Sequence, residues 1–342
     1  MEVRIKEMLS KRWVWLLLPA LFALSACINE KPDFKTCRYK VGLRVHIDTR
    51  SLPDYIYDYT RAEDYRVQYI LEVYSPDKDA LVDEIILYGT TATEVLTADI
   101  EVPIGDYRIY AWASYCGEDA VKSLFYDTSD FNDISWKEPY EGNSNFKQAY
   151  TGYASFSLSE KMQLPADITV DVELQSPMAR YQIIATDLME FIAKGEPDEP
   201  EEDSYDGVVE FNETMSQTPN LSAFTVKVNY MGYLPRNFNV FSNNPFDSAT
   251  GVSFEGGINT ISSDQALLAF DYCMVNGEES SVSVALEIYD KNMNMVNETG
   301  TIEIPTRRNR TTIVYGKFLT IEGDGGIGID PDFDGQYNIE YK

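Results

Sequence analysis

The strongest constraint on the fold is an alternation of apolar and polar residues with a period of two. In residues 39–47 every odd position is apolar, and Lys40, Arg44 and His46 lie between the apolar residues. A β-strand places successive side chains on opposite faces, so this segment has one buried face and one wet face. The same pattern recurs in residues 67–73, 168–174, 226–230 and 282–288. Many short alternating strands separated by turn residues predict an all-β chain of antiparallel sandwiches.

Further runs favour shorter strands, and helix is scarce. The strand-like runs are 81–88, 94–102, 106–113, 153–158, 178–185, 266–274, 301–304 and 311–319. The best helix candidate is Asp187–Lys194, in which Asp187 can cap the start, Glu190 occupies the capping-box position and Gly195 ends the helix. We interpret residues 50–65 and 127–149, which are rich in Tyr, Asp and Asn, as long loops.

The N-terminus has the features of a bacterial lipoprotein signal. Lys6, Lys11 and Arg12 precede an apolar run of 11 residues, Trp13–Ala23. A bilayer span needs about 20 apolar residues, so this run is typical of a signal peptide rather than of a transmembrane helix. The run ends in Leu-Ser-Ala-Cys, residues 24–27, which matches the lipobox, and its cysteine thiol receives the diacylglycerol. Two acyl chains are enough for stable membrane anchoring, so we expect Cys27 to hold the protein at a membrane.

The length and net charge of the chain after the signal peptide limit its domain number and its partners. Residues 1–26 contribute +2 to the net charge of −28, so the remaining 316 residues carry −30 and favour a soluble body that does not bind nucleic acid. At about 150 residues per domain, this length predicts two domains. We place a signal peptide at 1–26, a lipid-anchored tether at 27–36, an N-terminal sandwich at 37–165 and a C-terminal sandwich at 166–342. Residues 195–206, a run of Glu, Asp and Pro, are interpreted as an acidic loop in the second sandwich and are also an alternative boundary.

Candidate catalytic and metal-binding residues are few. The chain has one histidine, His46, on the polar face of the first predicted strand, and the sequence places no nucleophile or orienting group beside it. The segment Asp330-Pro-Asp332-Phe-Asp334-Gly matches the start of a calcium loop, but its twelfth position holds Tyr341 where a bidentate Glu is required. We therefore interpret it as a polar turn. The sequence predicts a protein that is not an enzyme and that has no metal site and no cofactor.

Cysteine usage leaves one pairing open. With Cys27 lipidated, three cysteines remain, and their odd number excludes complete pairing within the chain. A Cys37–Cys116 disulfide is compatible with an oxidising compartment. We favour the alternative in which Cys37, Cys116 and Cys273 are buried free thiols.

Two other sets of residues could bind partners. The basic cluster Arg307-Arg308-Asn309-Arg310 is interpreted as pairing with carboxylates at the start of a strand, because the chain is so acidic. Most aromatic residues alternate with polar ones in predicted strands, as core packing requires. The loop aromatics that could form a glycan-binding platform are Tyr55, Tyr57, Tyr59, Trp136 and Tyr140.

Two segments carry a family resemblance. Ser-Pro-Met-Ala-Arg-Tyr-Gln-Ile-Ile-Ala-Thr-Asp at 176–187 and Pro-Thr-Arg-Arg-Asn-Arg-Thr-Thr-Ile-Val-Tyr-Gly-Lys-Phe-Leu-Thr at 305–320 follow the lipobox and first strand. Together they resemble the fimbrillin-like lipoproteins of Bacteroides-type bacteria, in particular the fimbrial anchor subunits. The resemblance implies two transthyretin-like β-sandwich domains, export as a lipoprotein, and assembly of surface fimbriae by strand exchange.

The resemblance also makes the fate of the first strand important. Stalk subunits of that family lose a lipidated N-terminal strand to an arginine-specific protease, whereas anchors keep theirs. Arg38, Arg44 and Arg50 lie in this region, so the sequence leaves cleavage open. The resemblance transfers one site, the lipidated Cys27, and implies other fimbrial subunits as partners.

The leading hypothesis is therefore a non-catalytic anchor or accessory subunit of a fimbria. It would be lipid-anchored in the outer membrane, exposed on the cell surface, and bound to other subunits by strand addition. The alternative is a glycan-binding surface lipoprotein of a polysaccharide-uptake system, which the loop aromatics favour.

Lipidation gives the first testable prediction. Cys27→Ser removes the acceptor thiol, so it should abolish labelling by a radioactive or clickable fatty acid and leave the protein unanchored or unprocessed. Membrane fractionation measures the second effect. Unchanged membrane retention of the variant would contradict the anchor assignment.

Overall fold

The structure is a computed structural model, and its strands follow the alternation predicted from the sequence. It describes residues 37–48, 50, 65–76, 80–117, 122–159, 168–194 and 221–320. The first strands are β1 (Tyr39–Ile47), β2 (Tyr65–Ser75), β3 (Ala80–Gly89), β4 (Leu96–Val102), β5 (Gly105–Gly117), β6 (Tyr126–Asp127), β7 (Ile134–Trp136), β8 (Ala149–Leu158) and β9 (Ile168–Gln175). The all-β prediction is confirmed for these residues.

A short α-helix separates β10 from the remaining strands in the described part of the chain. The later strands are β10 (Met178–Ala185), β11 (Thr225–Tyr230), β12 (Leu234–Asn239), β13 (Asn244–Ala249), β14 (Ser253–Gly257), β15 (Asn259–Thr260), β16 (Ala266–Met274), β17 (Glu279–Tyr289), β18 (Met295–Glu298), β19 (Ile302–Arg307) and β20 (Thr311–Gly316). The α-helix, α1, spans Leu188–Lys194, and short 3₁₀ helices lie at Asn145–Lys147 and Leu221–Ala223.

One sheet of seven strands curls around the first core. Its order is β3-β2-β5-β8-β9-β1-β4, and its neighbours are antiparallel except for the parallel pair β1–β9. The joint between β8 and β9 has only two residue pairs, Thr151 with Gln175 and Gly152 with Leu174. A β-carbon on Gly152 would lie 2.6 Å from the carbonyl oxygen of Glu173, so this close approach requires glycine.

The second half contains three smaller sheets. Their orders are β15-β16-β10-β20, then β14-β11-β17-β18 with β19 also on β17, and β13-β12-β7-β6. The first two enclose the second hydrophobic core, to which Tyr181, Val228, Leu268, Leu286 and Val314 contribute. Strand β10 pairs antiparallel with β16 and parallel with β20.

The two halves repeat one strand arrangement. In the first, β1 lies between β4 and the parallel β9, while β2 lies between β3 and β5, which pairs with β8. In the second, β10 lies between β16 and the parallel β20, while β11 lies between β14 and β17, which pairs with β19. The seven strands correspond one to one in chain order. No sequence repeat accompanies this correspondence, because the arrangement demands alternation rather than particular residues.

The connection from β5 to β8 leaves the first half and packs on the second. Within residues 122–149, β7 pairs with β12, and Tyr126, Phe131 and Ile134 are buried in the second core. Trp112, on the outer face of β5, joins the same core, with its ring 5.6 Å from that of Phe238. Conversely, β9 lies beyond the predicted division at residue 165 and pairs with β1 in the first sheet.

The predicted helix begins one residue later than Asp187, and it is capped differently. Asp264 accepts hydrogen bonds from the amides of Leu188 through its carbonyl oxygen (3.2 Å) and of Met189 through its carboxylate (3.4 Å). The Asp187 carboxylate is buried and accepts bonds from the Thr320 amide and hydroxyl, both at 2.8 Å. Glu190 pairs with Lys317 at 2.6 Å. The predicted capping box is therefore wrong, because both carboxylates bind the segment after β20.

The β8–β9 joint gives a stability prediction. Gly152→Ala should lower the free energy of unfolding by about 1–3 kcal/mol, because the added methyl group must displace the β9 backbone. Gly232→Ala is the matched control, since nothing lies within 4 Å of a β-carbon there. It should change stability by less than about 0.5 kcal/mol. Urea unfolding of both purified variants measures the difference, and equal midpoints would contradict the close approach.

Candidate functional site

The histidine contacts one carboxylate within the described residues. The His46 side chain is 24% exposed, and its Nε2 lies 3.9 Å from Oδ1 of Asp171. Over the described ranges, no hydrogen bond joins His46 to a hydroxyl or thiol group, and no group of three His, Cys, Asp or Glu residues could hold a metal ion. Asp330, Asp332, Asp334 and Tyr341 lie outside the described residues.

The first strand is buried against the first core and paired along its length. Val41, Leu43, Val45 and Ile47 of β1 are each at most 3% exposed and fill the first core. The backbone of β1 is paired along both sides, with β4 and with β9. The strand therefore fills a groove of the first sheet, and its removal would expose core residues and the edges of two strands.

The three candidate cleavage residues differ in their settings. Arg38 is exposed and precedes β1, and its Nη1 donates a 3.4 Å hydrogen bond to the Glu101 carbonyl oxygen. Arg44 lies at the centre of β1, where its backbone pairs with Thr97 and Asp171. Arg50 pairs with Asp48 at 2.8 Å, which lowers the pKa of the Asp48 carboxyl through its hydrogen bonds. A protease needs unpaired backbone, so Arg44 is protected while β1 remains in place.

The most perturbed titratable groups surround Asp271, at the contact between the second core and residues 122–149. Asp271 is fully buried, and its Oδ1 accepts a 2.7 Å bond from Lys147 Nζ. Its Oδ2 accepts bonds from the hydroxyls of Tyr140 (2.6 Å) and Tyr230 (2.7 Å). The Tyr181 hydroxyl donates to that of Tyr230 at 3.0 Å. These residues form the Asp271 network.

The Asp271 network is structural. Burial raises the pKa of Asp271, and the bonds from Lys147 and the tyrosines oppose that rise. Burial also raises the pKa of Cys273 to about 12, so its thiol is unreactive at neutral pH. None of these residues lines the cleft of about 740 Å³ that lies between the two halves. The network ties residues 122–149 to β16 and thereby joins the two halves.

The predicted aromatic platform does not form from its described members. Trp136 is 6% exposed, and its indole Nε1 donates to the Pro235 carbonyl oxygen at 3.3 Å. Tyr140 is half-buried, and its hydroxyl binds Asp271. Both residues attach the connection to the second half. The interpretation of 127–149 as a long loop does not predict this packing. Tyr55, Tyr57 and Tyr59 lie outside the described residues.

The cysteines are free where the structure describes them. Cys116 and Cys273 are buried, as favoured, whereas Cys37 is exposed, so the expectation that it is buried is wrong. The possible Cys37–Cys116 disulfide is not formed. Cys27 lies outside the described residues, and its lipidation stays a prediction.

The arginine cluster fits its predicted role in part. Arg307 pairs with Glu279 at 3.4 Å. Arg308 donates to the carbonyl oxygens of Asn243 (2.7 Å) and Val275 (3.2 Å) instead of to a carboxylate. Arg310 is exposed, and its guanidinium makes no bond within the described part of the chain.

The two segments that carry the family resemblance contact each other. Residues 176–187 include β10, residues 305–320 include β20, and these strands pair in parallel from Arg180 with Thr311 to Ala185 with Gly316. The family resemblance therefore lies in two strands that pair with each other, and these are the first and last strands of the second half.

The Asp271 network predicts a large stability effect. Lys147→Met leaves the carboxylate buried without its cation, which should cost about 3–5 kcal/mol of unfolding free energy. Lys227→Met removes a half-exposed pair with Glu287 and should cost at most about 1 kcal/mol. Urea unfolding measures both variants. The double variant Lys147→Met/Asp271→Asn should be more stable than Lys147→Met alone. If the stability losses of the two single variants simply add in the double variant, the coupling between Lys147 and Asp271 is contradicted.

No helix among the described residues is long and apolar enough to cross a membrane. Curated protein sequences give no match.

Solved structures of three bacterial proteins are similar to the chain at low identity. A proposed polysaccharide-binding protein of Bacteroides thetaiotaomicron is 13% identical with a TM-score of 0.42, over 77% of this chain and 79% of that one. The fimbrial anchor protein Mfa2 of Porphyromonas gingivalis is 12% identical with a TM-score of 0.38, over 76% and 81%. A fimbrial assembly protein of Parabacteroides distasonis is 10% identical with a TM-score of 0.37, over 81% and 90%. At these values, function has to be argued from the chain itself.

A family model covers nearly all of the chain. It spans residues 36–342, which include every strand described above. The chain therefore belongs to this family of unknown function, DUF6562.

Proposed function

We propose that this protein is a non-catalytic structural lipoprotein of the cell surface, acting as the anchor or an accessory subunit of a fimbria assembled by strand exchange. The lipid on Cys27 would hold it in the outer membrane, and its partners would be other fimbrial subunits. The observation that supports this proposal is the position of β1. Its apolar side chains fill the first core, its backbone is paired on both sides, and it follows the predicted tether.

The position of β1 supports the anchor role. A subunit whose groove is filled by its own strand cannot receive a partner's strand in that groove. It can therefore end a chain of subunits but cannot continue one at that groove, which is the property that an anchor needs. The four buried side chains of β1 are each worth roughly 1.5–3 kcal/mol of burial, so the strand is held firmly.

The membrane attachment and β1 are mechanically linked. Twelve residue steps separate Cys27 from Tyr39, and a chain of that length spans at most about 40 Å. Load applied to the body reaches the lipid through β1, since the tether joins the body at this strand. Cleavage within β1 would separate the body from its lipid and would also remove part of the strand that fills the groove. A subunit that stays attached to the membrane therefore also keeps β1.

We further propose two transthyretin-like sandwich domains. The repeated seven-strand arrangement supports them, and it favours a division at residues 176–177, after β9 and before β10. Residues 122–149 would then be an insertion of the first domain that packs on the second.

The anchor role predicts where an arginine-specific protease cuts. On intact membranes, cleavage should occur after Arg38, which is exposed and outside β1, and release a folded body that begins at Tyr39. Arg38→Gln should prevent that release. Mass spectrometry of the soluble fraction identifies the new N-terminus.

Cleavage within β1 would contradict the anchor role. A released body that begins at Val45, stays folded and polymerises would make the protein a stalk subunit. Leu43→Ala serves as a positive control, because it should weaken β1 packing by about 2–5 kcal/mol and expose Arg44 to the protease.

A further inference from the structure

A polar cleft of about 740 Å³ lies between the two halves of the molecule. Its floor is the outer face of the first sheet, where Tyr110 of β5 lies directly opposite Tyr153 of β8. Its wall comes from the second half and consists of Phe241, Asn243 and the turn 307–310 between β19 and β20. A ligand in this cleft would contact both halves.

A row of aromatic rings runs across the cleft. Tyr153 is 56% exposed, and its ring lies 5.3 Å from that of Tyr110. The Tyr110 ring lies 4.8 Å from Phe241, which lies 5.3 Å from Tyr74. A second recess of about 290 Å³ contains Tyr74, Tyr110 and Phe241, so the row continues beyond the main cleft. Aromatic faces of this kind pack against the C–H groups of sugar rings while the phenol hydroxyls remain wet.

Arginine side chains give the cleft a positive character. Arg108 and Arg310 are exposed, and neither guanidinium makes an ion pair or hydrogen bond within the described ranges. Arg308 is fixed by its bonds to Asn243 and Val275, and Arg307 shares a solvent-exposed pair with Glu279. Four arginines and two glutamates, Glu173 and Glu278, line the cleft of a chain whose net charge is −28. Unpaired guanidinium groups beside a groove are suited to carboxylate or sulfate groups.

The surroundings favour a saccharide over the other anionic ligands. A densely charged polyanion would be repelled by the net charge of the whole protein. A peptide could not add as a strand to β5, because β5 is paired on both sides by β2 and β8. The amide side chains of Gln175, Asn243 and Asn309 also line the cleft and can bind hydroxyl groups.

We propose that this cleft binds a short oligosaccharide whose neutral sugars are interspersed with carboxylate- or sulfate-bearing ones. A sugar ring packs on the exposed face of Tyr153, with Tyr110 and Phe241 beside it in the cleft, and the acidic groups bind Arg108 and Arg310. This inference does not depend on the anchor role, because the cleft is formed by β5, β8 and the second half rather than by β1.

The test is calorimetric titration of the full-length protein with defined tetrasaccharides. The probes are hyaluronan, with a carboxylate on every second sugar, unsulfated and sulfated chondroitin, a sialylated milk-type tetrasaccharide, and neutral chitotetraose. At least one acidic probe should bind about tenfold more tightly than chitotetraose. Arg108→Gln and Arg310→Gln should each weaken that binding about tenfold, and Tyr153→Ala should weaken it similarly.

Matched controls separate the site from general charge. Arg44→Gln makes the same change of charge outside the cleft, and Tyr233→Ala removes a tyrosine that is 77% exposed elsewhere. Both should leave the affinity unchanged. The proposal is overturned if no acidic saccharide binds, if chitotetraose binds equally well, or if the cleft variants behave as the controls do. Tight binding of a glutamate-rich peptide, without binding of any saccharide, would show that the ligand is a peptide and would also overturn the proposal.

Discussion

Each half of the molecule is closed by a parallel pairing between its first and last strands. In the first half β1 meets β9, and in the second β10 meets β20. These pairs join the two ends of each half, so they are its contacts of greatest sequence separation and complete its core. The same pairing makes the first strand special, since β1 is the first of the described strands and yet lies between β4 and β9 in its sheet. Any process that removes β1 exposes the first core, and any process that retains it leaves the groove filled.

The alternating strands could be predicted from the sequence because their two faces differ so clearly. The strands β1, β10 and β16 were predicted with their observed bounds, since each places strongly apolar residues against a core. By contrast, β12 and β13 contain Pro235, Pro245 and several asparagines, lie in a small sheet, and have no alternating pattern. The alternation predicts the residues of β9 but not its pairing with β1, because periodicity identifies a strand and not its partner. The repeated arrangement of the two halves was hidden for the same reason.

The candidate sites required side chains that meet only in the folded chain. Lys147 and Asp271 are far apart in sequence, and each looks like an ordinary surface charge until the connection 122–149 packs on the second core. Trp136 and Tyr140 were interpreted as an exposed platform because their segment is polar, but the few apolar residues of that segment decide where it packs. The cleft combines Arg108 and Tyr153 of the first half with Phe241 and Arg310 of the second, which no spacing in the sequence relates. The unusual density of arginines at 307–310 is visible in the sequence, but it indicates a positive charge and not which residues lie beside it.

The Asp271 network and the cleft depend on the same contact between the halves. Because residues 122–149 are bound to β16 by a buried ion pair, separating the second half from this connection would expose Lys147 and Asp271. The cleft is consequently formed before any ligand arrives, so binding need not be offset by the ordering of a hinge. The same rigidity suits a subunit that carries load, since force applied to the second half reaches β1 and the tether without first opening the joint. A rigid joint therefore serves both the proposed anchor and the proposed binding cleft, although each rests on its own residues and each can fail without the other.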